Sequence, residues 1–397
     1  MNYKISEAPE LNWLKTNSLS NATPEGEATS GKEYKRTRCS LELFDHVLFG
    51  NYDAFSACQP ENVRITLESF NQIKTYVNSV LKTPDDEYAM RAFLVINDLG
   101  KVDDFVEKIA EKIGVLSVDH DKILYEGLKA YPELSPTFFS LSKKYQNIIL
   151  RGLSTTFNMG QYVQCECLPA NLVPLMNIDY ETLNYYMIHV LFDISGAAGH
   201  VNGNGSLVCN ELYWKKFSYA LETILCMVKG QLDPEEAYAM YIESTMEIYK
   251  VCNPVVAKLC NMMRLSNSKE AEQLELAFNN LDDFTQNVLI SELMKTGVND
   301  TATLLYYAPA TFQNALNYFK KNDSNNAIVK SFNLVSPVMA KIYKTIRSNI
   351  SSKFGVTTVL ISDVAKVAIE PYNLQIEDWF IERVGDDFKV ISKKEKI

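Results

Sequence analysis

Three observations predict a mainly α protein. Helix-start signals recur: Thr83-Pro84-Asp85-Asp86-Glu87 and Asp233-Pro234-Glu235-Glu236 each combine a capping side chain, an early proline and acids at the positive end of the helix dipole. Apolar residues behind those starts fall at helical spacing, as in Met90, Phe93 and Leu94. Strand-like runs are confined to the last stretch, at Thr357–Ile361 and in the pair Trp379–Val384 and Phe388–Ser392 about Gly385-Asp386-Asp387.

In chain order, residues 1–40 read as a mobile polar tail, because Asn17–Thr37 carries almost no large apolar residue to offset the cost of ordering. Order begins at Leu41-Glu42-Leu43-Phe44. The Thr83 start leads into a core helix that Gly100 stops. Ser117 caps a helix through Leu128 that ends before Pro132, and another runs from Lys143 to Phe157. Asp179 opens a helix that is apolar nearly all round, through Met187, Val190 and Ile194, which requires burial on every side. A long helix from Cys209 to Lys229 ends at Gly230. Further helices are expected at Ser268–Leu281, Asp282–Thr296, Pro309–Lys320 and Val338–Ser351. These assignments give a helical core over 41–230 and a C-terminal helical region over 231–397, a second layer or domain that ends in a short β-hairpin.

Composition narrows the function classes. With 397 residues, 47% apolar and 22% charged, the chain has material for a sizeable core. A net charge of −10 argues against nucleic-acid binding, which needs a cationic face. No apolar run is long enough to span a bilayer, and the N-terminus has no secretory pattern. Eight cysteines without a CxxC pair read as reduced thiols rather than a disulfide or zinc framework, which places the chain in the cytoplasm. The polar tail and Lys/Asn-rich composition also suit a bacterial effector delivered into a host cell.

Candidate chemistry concentrates between Asn97 and Ser206. Asn97 shares the helix face of Met90 and Phe93, so the Asn97-Asp98 doublet points inward, where an acid needs a cation, hydrogen bonds or a proton. Asp119-His120-Asp121 offers three consecutive polar groups, of which His120 is the best ligand and the acids suit a helix N-terminus. His189 and Asp193 are four residues apart on the apolar helix, as a metal pair or a hydrogen-bonded structural link. Next comes a glycine-rich loop with Gly196, Gly199, His200, Gly203 and Gly205, whose backbone N–H groups suit a substrate phosphate as well as a plain connection. Cys209 with His200 gives a separate class, a thiol enzyme.

Val95-Ile96-Asn97-Asp98-Leu99-Gly100-Lys101 resembles the central motif of the HD superfamily, helical metal-dependent phosphohydrolases in which an apolar helix ends in His-Asp. The resemblance implies an HD-like core. It also implies a divalent metal, Mg²⁺ or Mn²⁺ ahead of iron, held by Asp98, His120, His189 and Asp193. Asp98, Lys101, His120 and His189 would be the catalytic set, with Lys101 steering a phosphorylated or nucleotide-like small molecule. Asn97 stands where that family has His, and no His precedes it in the expected first helix. An amide is a poorer ligand than imidazole. The alternative is therefore a catalytically degenerate HD-like fold that binds a small molecule or a protein partner.

Overall fold

The computed structural model describes residues 4–16, 31–114, 120–322, 326–348, 354–369, 379–384 and 387–392. The fold is mainly α, with one four-stranded sheet, and it divides into two compact units. The first comprises residues 1–159 and 174–218; the second comprises 160–173 and 219–397. Among the described residues no helix is long and apolar enough to cross a membrane.

The first unit contains α1 (Pro9–Thr16), α2 (Lys32–Phe49), α3 (Tyr52–Ser56), α4 (Leu67–Val80), α5 (Pro84–Ile96), α6 (Asp103–Ile113), α7 (His120–Ala130), α8 (Pro136–Ser140) and α9 (Lys143–Leu153). A short α10 (Met159–Val163) passes into the second unit, and the chain returns to the first for α11 (Tyr180–Gly196). The last of these is the hub. It packs against α2, α4, α5 and α9, as its all-round apolar sequence demands. Asp179 caps it by accepting from the Thr182 N–H. The Thr83 start of α5 is a full capping box with Asp86. Tyr145 of α9 then donates to the Asp86 carboxylate, and Tyr185 of α11 to the Asp86 carbonyl. One cap thus fixes three helices at the end of α5 opposite the doublet.

The second unit holds most of α12 (Glu211–Val228), then α13 (Pro234–Tyr249), α14 (Pro254–Met262), α15 (Ser268–Asn279) and α16 (Asp283–Leu293). Strand β1 (Thr301–Tyr306), α17 (Ala308–Asn322), α18 (Ala327–Arg347), β2 (Gly355–Leu360), α19 (Ser362–Val367), β3 (Trp379–Val384) and β4 (Asp387–Ser392) follow. The sheet order is β1-β2-β4-β3, parallel except for the β3–β4 hairpin. Helices α17 and α18 form the connection that parallel β1 and β2 require.

Three sequence expectations change. The stretch 1–40 is not loose throughout: α1 and the first half of α2 are helical, and residues 17–30 lie outside the described residues. Glu10 explains α1. Its carboxylate is fully buried and accepts from Ser135 Oγ, Thr137 N and Thr137 Oγ1, fastening α1 at the start of α8. The unit boundary falls inside α12, not at 230, and 160–173 joins the C-terminal unit through contacts such as Ala170 N to the Thr296 carbonyl. Helix α18 starts eleven residues before Val338, through Pro337, because Ile328, Phe332 and Val335 already form a buried face there.

Candidate functional site

Helix α5 ends at Ile96, and the chain tightens into a 3₁₀ turn over Leu99–Lys101. That turn places Lys101 three residues after Asp98 on one side. Gly100 is not the left-handed stop expected of it. A Cβ there would lie 2.0 Å from the His120 carbonyl oxygen, so glycine lets the start of α7 approach the turn. The turn, α7, α11, Arg36 of α2 and the segment after α9 enclose a cavity of about 180 Å³. Asp98, Lys101, His120, His189 and Asp193 all line it, with Asn97, Asp121, Leu153, Phe157, Asn158 and Tyr186. The expected convergence of side chains distant in sequence is present.

Their electrostatics are uneven. Lys101 Nζ donates to Asp98 Oδ1 at 2.6 Å and lies 3.4 Å from Glu33 Oε2; Arg36 Nη1 donates to Glu33 at 2.9 Å. Burial opposes the charge on Asp98, but Lys101 and Arg36 outweigh it and hold that carboxyl well below the usual carboxylate range. The Glu33 carboxyl moves the other way, raised by burial and by Asp98. Two cations and two carboxylates thus form one compact cluster.

Asp193 stands outside that cluster: among the described residues no hydrogen bond or ion pair ends on its carboxylate. Burial, and then Asp98, push its carboxyl up to about 7. One turn earlier His189 is 3% exposed and stacks on Phe93 with ring centroids 3.6 Å apart. Among the described residues neither imidazole nitrogen has a hydrogen-bond partner, and burial drives the ring down to about 3, so it is neutral. Arg36 Nε is likewise unpartnered. A buried polar atom left in this state costs free energy unless something else satisfies it.

The donor set does not fit a divalent ion as placed. Asp98 is already engaged by an ammonium and a guanidinium, and His120 faces Asp121 at 3.2 Å. Among the described residues no three His, Cys, Asp or Glu side chains are grouped as a metal site would need. The four expected ligands share a cavity without forming a ligand group. Asp119 lies outside the described residues.

The glycine loop sits elsewhere. None of Gly196, Gly199, His200, Gly203 or Gly205 lines the cavity. A Cβ on Gly196 would fall 2.1 Å from Ser40 Oγ, and one on Gly199 2.4 Å from Cys39 Cβ, so these glycines let the end of α11 approach α2. Cys209 is fully buried, and burial lifts its thiol to about 12, which removes it as a nucleophile. None of the eight cysteines forms a disulfide among the described residues.

Sequence reasoning missed Arg36 and Glu33, because both fall in a stretch whose composition reads as tail. A signal existed. Cys39, Leu43, Phe44 and Val47 continue one buried face back toward Arg36, one turn before Ser40.

The chain belongs to a family of unknown function, DUF6829, whose model matches residues 15–373 and so covers both units. No curated protein and no solved structure matches the chain.

Proposed function

We propose that this chain is a small-molecule-binding module, built on an HD-like helical core, that works without a metal. The observation that carries the reading is the closed charge cluster at Asp98. Lys101 and Arg36 bring to that carboxylate the positive charge that a divalent ion brings in the hydrolases the motif resembles. Beside the cluster, the cavity leaves both His189 nitrogens and Arg36 Nε without a partner among the described residues, which is the condition of groups that await a ligand, and Asp193 lines the same cavity. Its size favours a small molecule over a protein partner.

Titration of the purified protein with Mn²⁺ and with Mg²⁺ tests the reading. Neither metal should bind stoichiometrically or raise the melting temperature. Stoichiometric Mn²⁺ lost in Asp98→Asn would overturn it. That outcome would favour the second reading, a metal-dependent phosphohydrolase, for which the shared cavity of Asp98, His120, His189 and Asp193 speaks.

A further inference from the structure

We propose that the cavity recognises a small organic amine, its ammonium group against Asp193 and a neighbouring hydrogen-bond acceptor against the Arg36 side. This rests on the metal-free reading and adds the ligand's class.

Most of the charges around the cavity already have partners. Lys101 and Arg36 are matched by Asp98 and Glu33, two cations to two carboxylates, at 2.6 to 3.4 Å. Asp121 faces His120 at 3.2 Å. That leaves Asp193 as the one cavity carboxylate with no cation within ion-pair distance among the described residues; Arg36 and Lys101 act on it only at longer range. An anionic ligand would meet Asp98 and Asp193 together with cations that are already engaged. An ammonium group would supply the missing partner.

The second observation is His189. It sits one turn before Asp193 on α11, lines the same cavity, and has neither nitrogen bonded. A neutral imidazole offers one N–H donor and one acceptor lone pair. The acceptor suits a second N–H of an ammonium group. The remaining donors, one imidazole N–H and Arg36 Nε, suit a hydroxyl or carbonyl oxygen on the same molecule. The walls fit as well: aromatic Phe157 and Tyr186 beside a carboxylate favour a cation, and Leu153 and Val190 accommodate a short alkyl chain.

The test is calorimetric titration of the full chain with 4-amino-1-butanol, against 1,5-pentanediol as neutral analogue, butyrate as anion, inorganic phosphate and Mn²⁺. Saturable binding of the amino alcohol at millimolar concentration is expected, as for a ligand of few atoms. Asp193→Asn should weaken it about tenfold or more, since the charge-assisted contact is lost. Asp121→Asn should change it about twofold at most, because that carboxylate already has a partner. Asp193→Asn is near-isosteric and breaks no ion pair or hydrogen bond among the described residues, so it is expected to fold, with the circular dichroism spectrum as the check. Equal binding of the diol, preference for butyrate or phosphate, indifference to Asp193→Asn, or no saturable amine binding would each overturn the inference while leaving a metal-free pocket standing. Saturable Mn²⁺ would overturn both.

Discussion

The two units bury polar groups in different ways. In the second, Arg347 makes a bidentate pair with Glu292, at 2.9 and 2.8 Å, and also donates to the Thr301 carbonyl. Tyr241 and Tyr249 donate to the Val163 and Leu265 carbonyls, each at 2.8 Å, and Lys258 donates to the Leu293 carbonyl. These groups close on their own unit. In the first unit the cluster of Asp98, Lys101, Arg36 and Glu33 borders open space, and both His189 nitrogens and Arg36 Nε lie beside that space without partners among the described residues. Burial of charge is common to both. Single unsatisfied atoms occur in both, such as Asn261 Oδ1 and Thr303 Oγ1 in the second; what sets the first apart is that an unsatisfied imidazole, an unsatisfied guanidinium nitrogen and a charge cluster line one cavity.

The largest expected effect breaks the cluster. Asp98→Ala leaves Lys101 and Arg36 facing each other with Glu33 alone between them, and should cost roughly 3–5 kcal/mol, the range for an orphaned buried charge. Arg347→Met in the second unit should cost less, about 1–3 kcal/mol, because it leaves a single carboxylate, Glu292, without its partner rather than two cations facing each other. Denaturant midpoints of the two variants measure the contrast. Equal losses would mean that the cavity cluster is an ordinary structural ion pair.

The next effect sharpens the comparison through pH. The Asp193 carboxyl is raised from 3.8 to about 7 by burial and by Asp98. Between those values the folded chain keeps a proton that the unfolded chain has released, so this group makes stability fall as pH rises through the window. Asp193→Asn removes that slope. The variant should match the native protein below about pH 4 and exceed it above about pH 7 by on the order of 2–4 kcal/mol. Thermal melts across that range read the difference. A flat difference would mean that Asp193 has a partner in solution.

How much of this the sequence made legible depends on how local each signal was. The α5 start at Thr83 and the β3–β4 hairpin are fixed by neighbouring residues, and both lie where expected. Strand β1 was missed because Thr301–Tyr306 is a single short run whose neighbour in the sheet, β2, comes some fifty residues later. The cavity was half legible. The inward turn of Asp98 and the shared face of His189 and Asp193 follow from helical spacing, whereas their closure by Arg36 depends on α2, whose polar surface resembles an unstructured tail. The glycines misled for the opposite reason: close packing against α2 and phosphate binding ask for the same residue.

The smallest effect is the most discriminating. Tyr241→Phe strips a hydroxyl from a satisfied bond and leaves the Val163 carbonyl without that donor, which should cost about 1 kcal/mol. His189→Leu removes a side chain of similar depth but breaks no protein hydrogen bond. It loses the stack on Phe93, worth about 0.5–1.5 kcal/mol, and gains by burying an apolar group where two unpaired nitrogens stood. These oppose each other, so His189→Leu should lie within about 1 kcal/mol of the native protein while amine binding is lost. A hydroxyl whose bonds are all internal affects folding alone, whereas an imidazole whose bonds are all unmade affects a ligand alone. If His189→Leu destabilises the chain more than Tyr241→Phe does, the imidazole is a structural part of the first unit, and the two units bury their polar groups for the same reason.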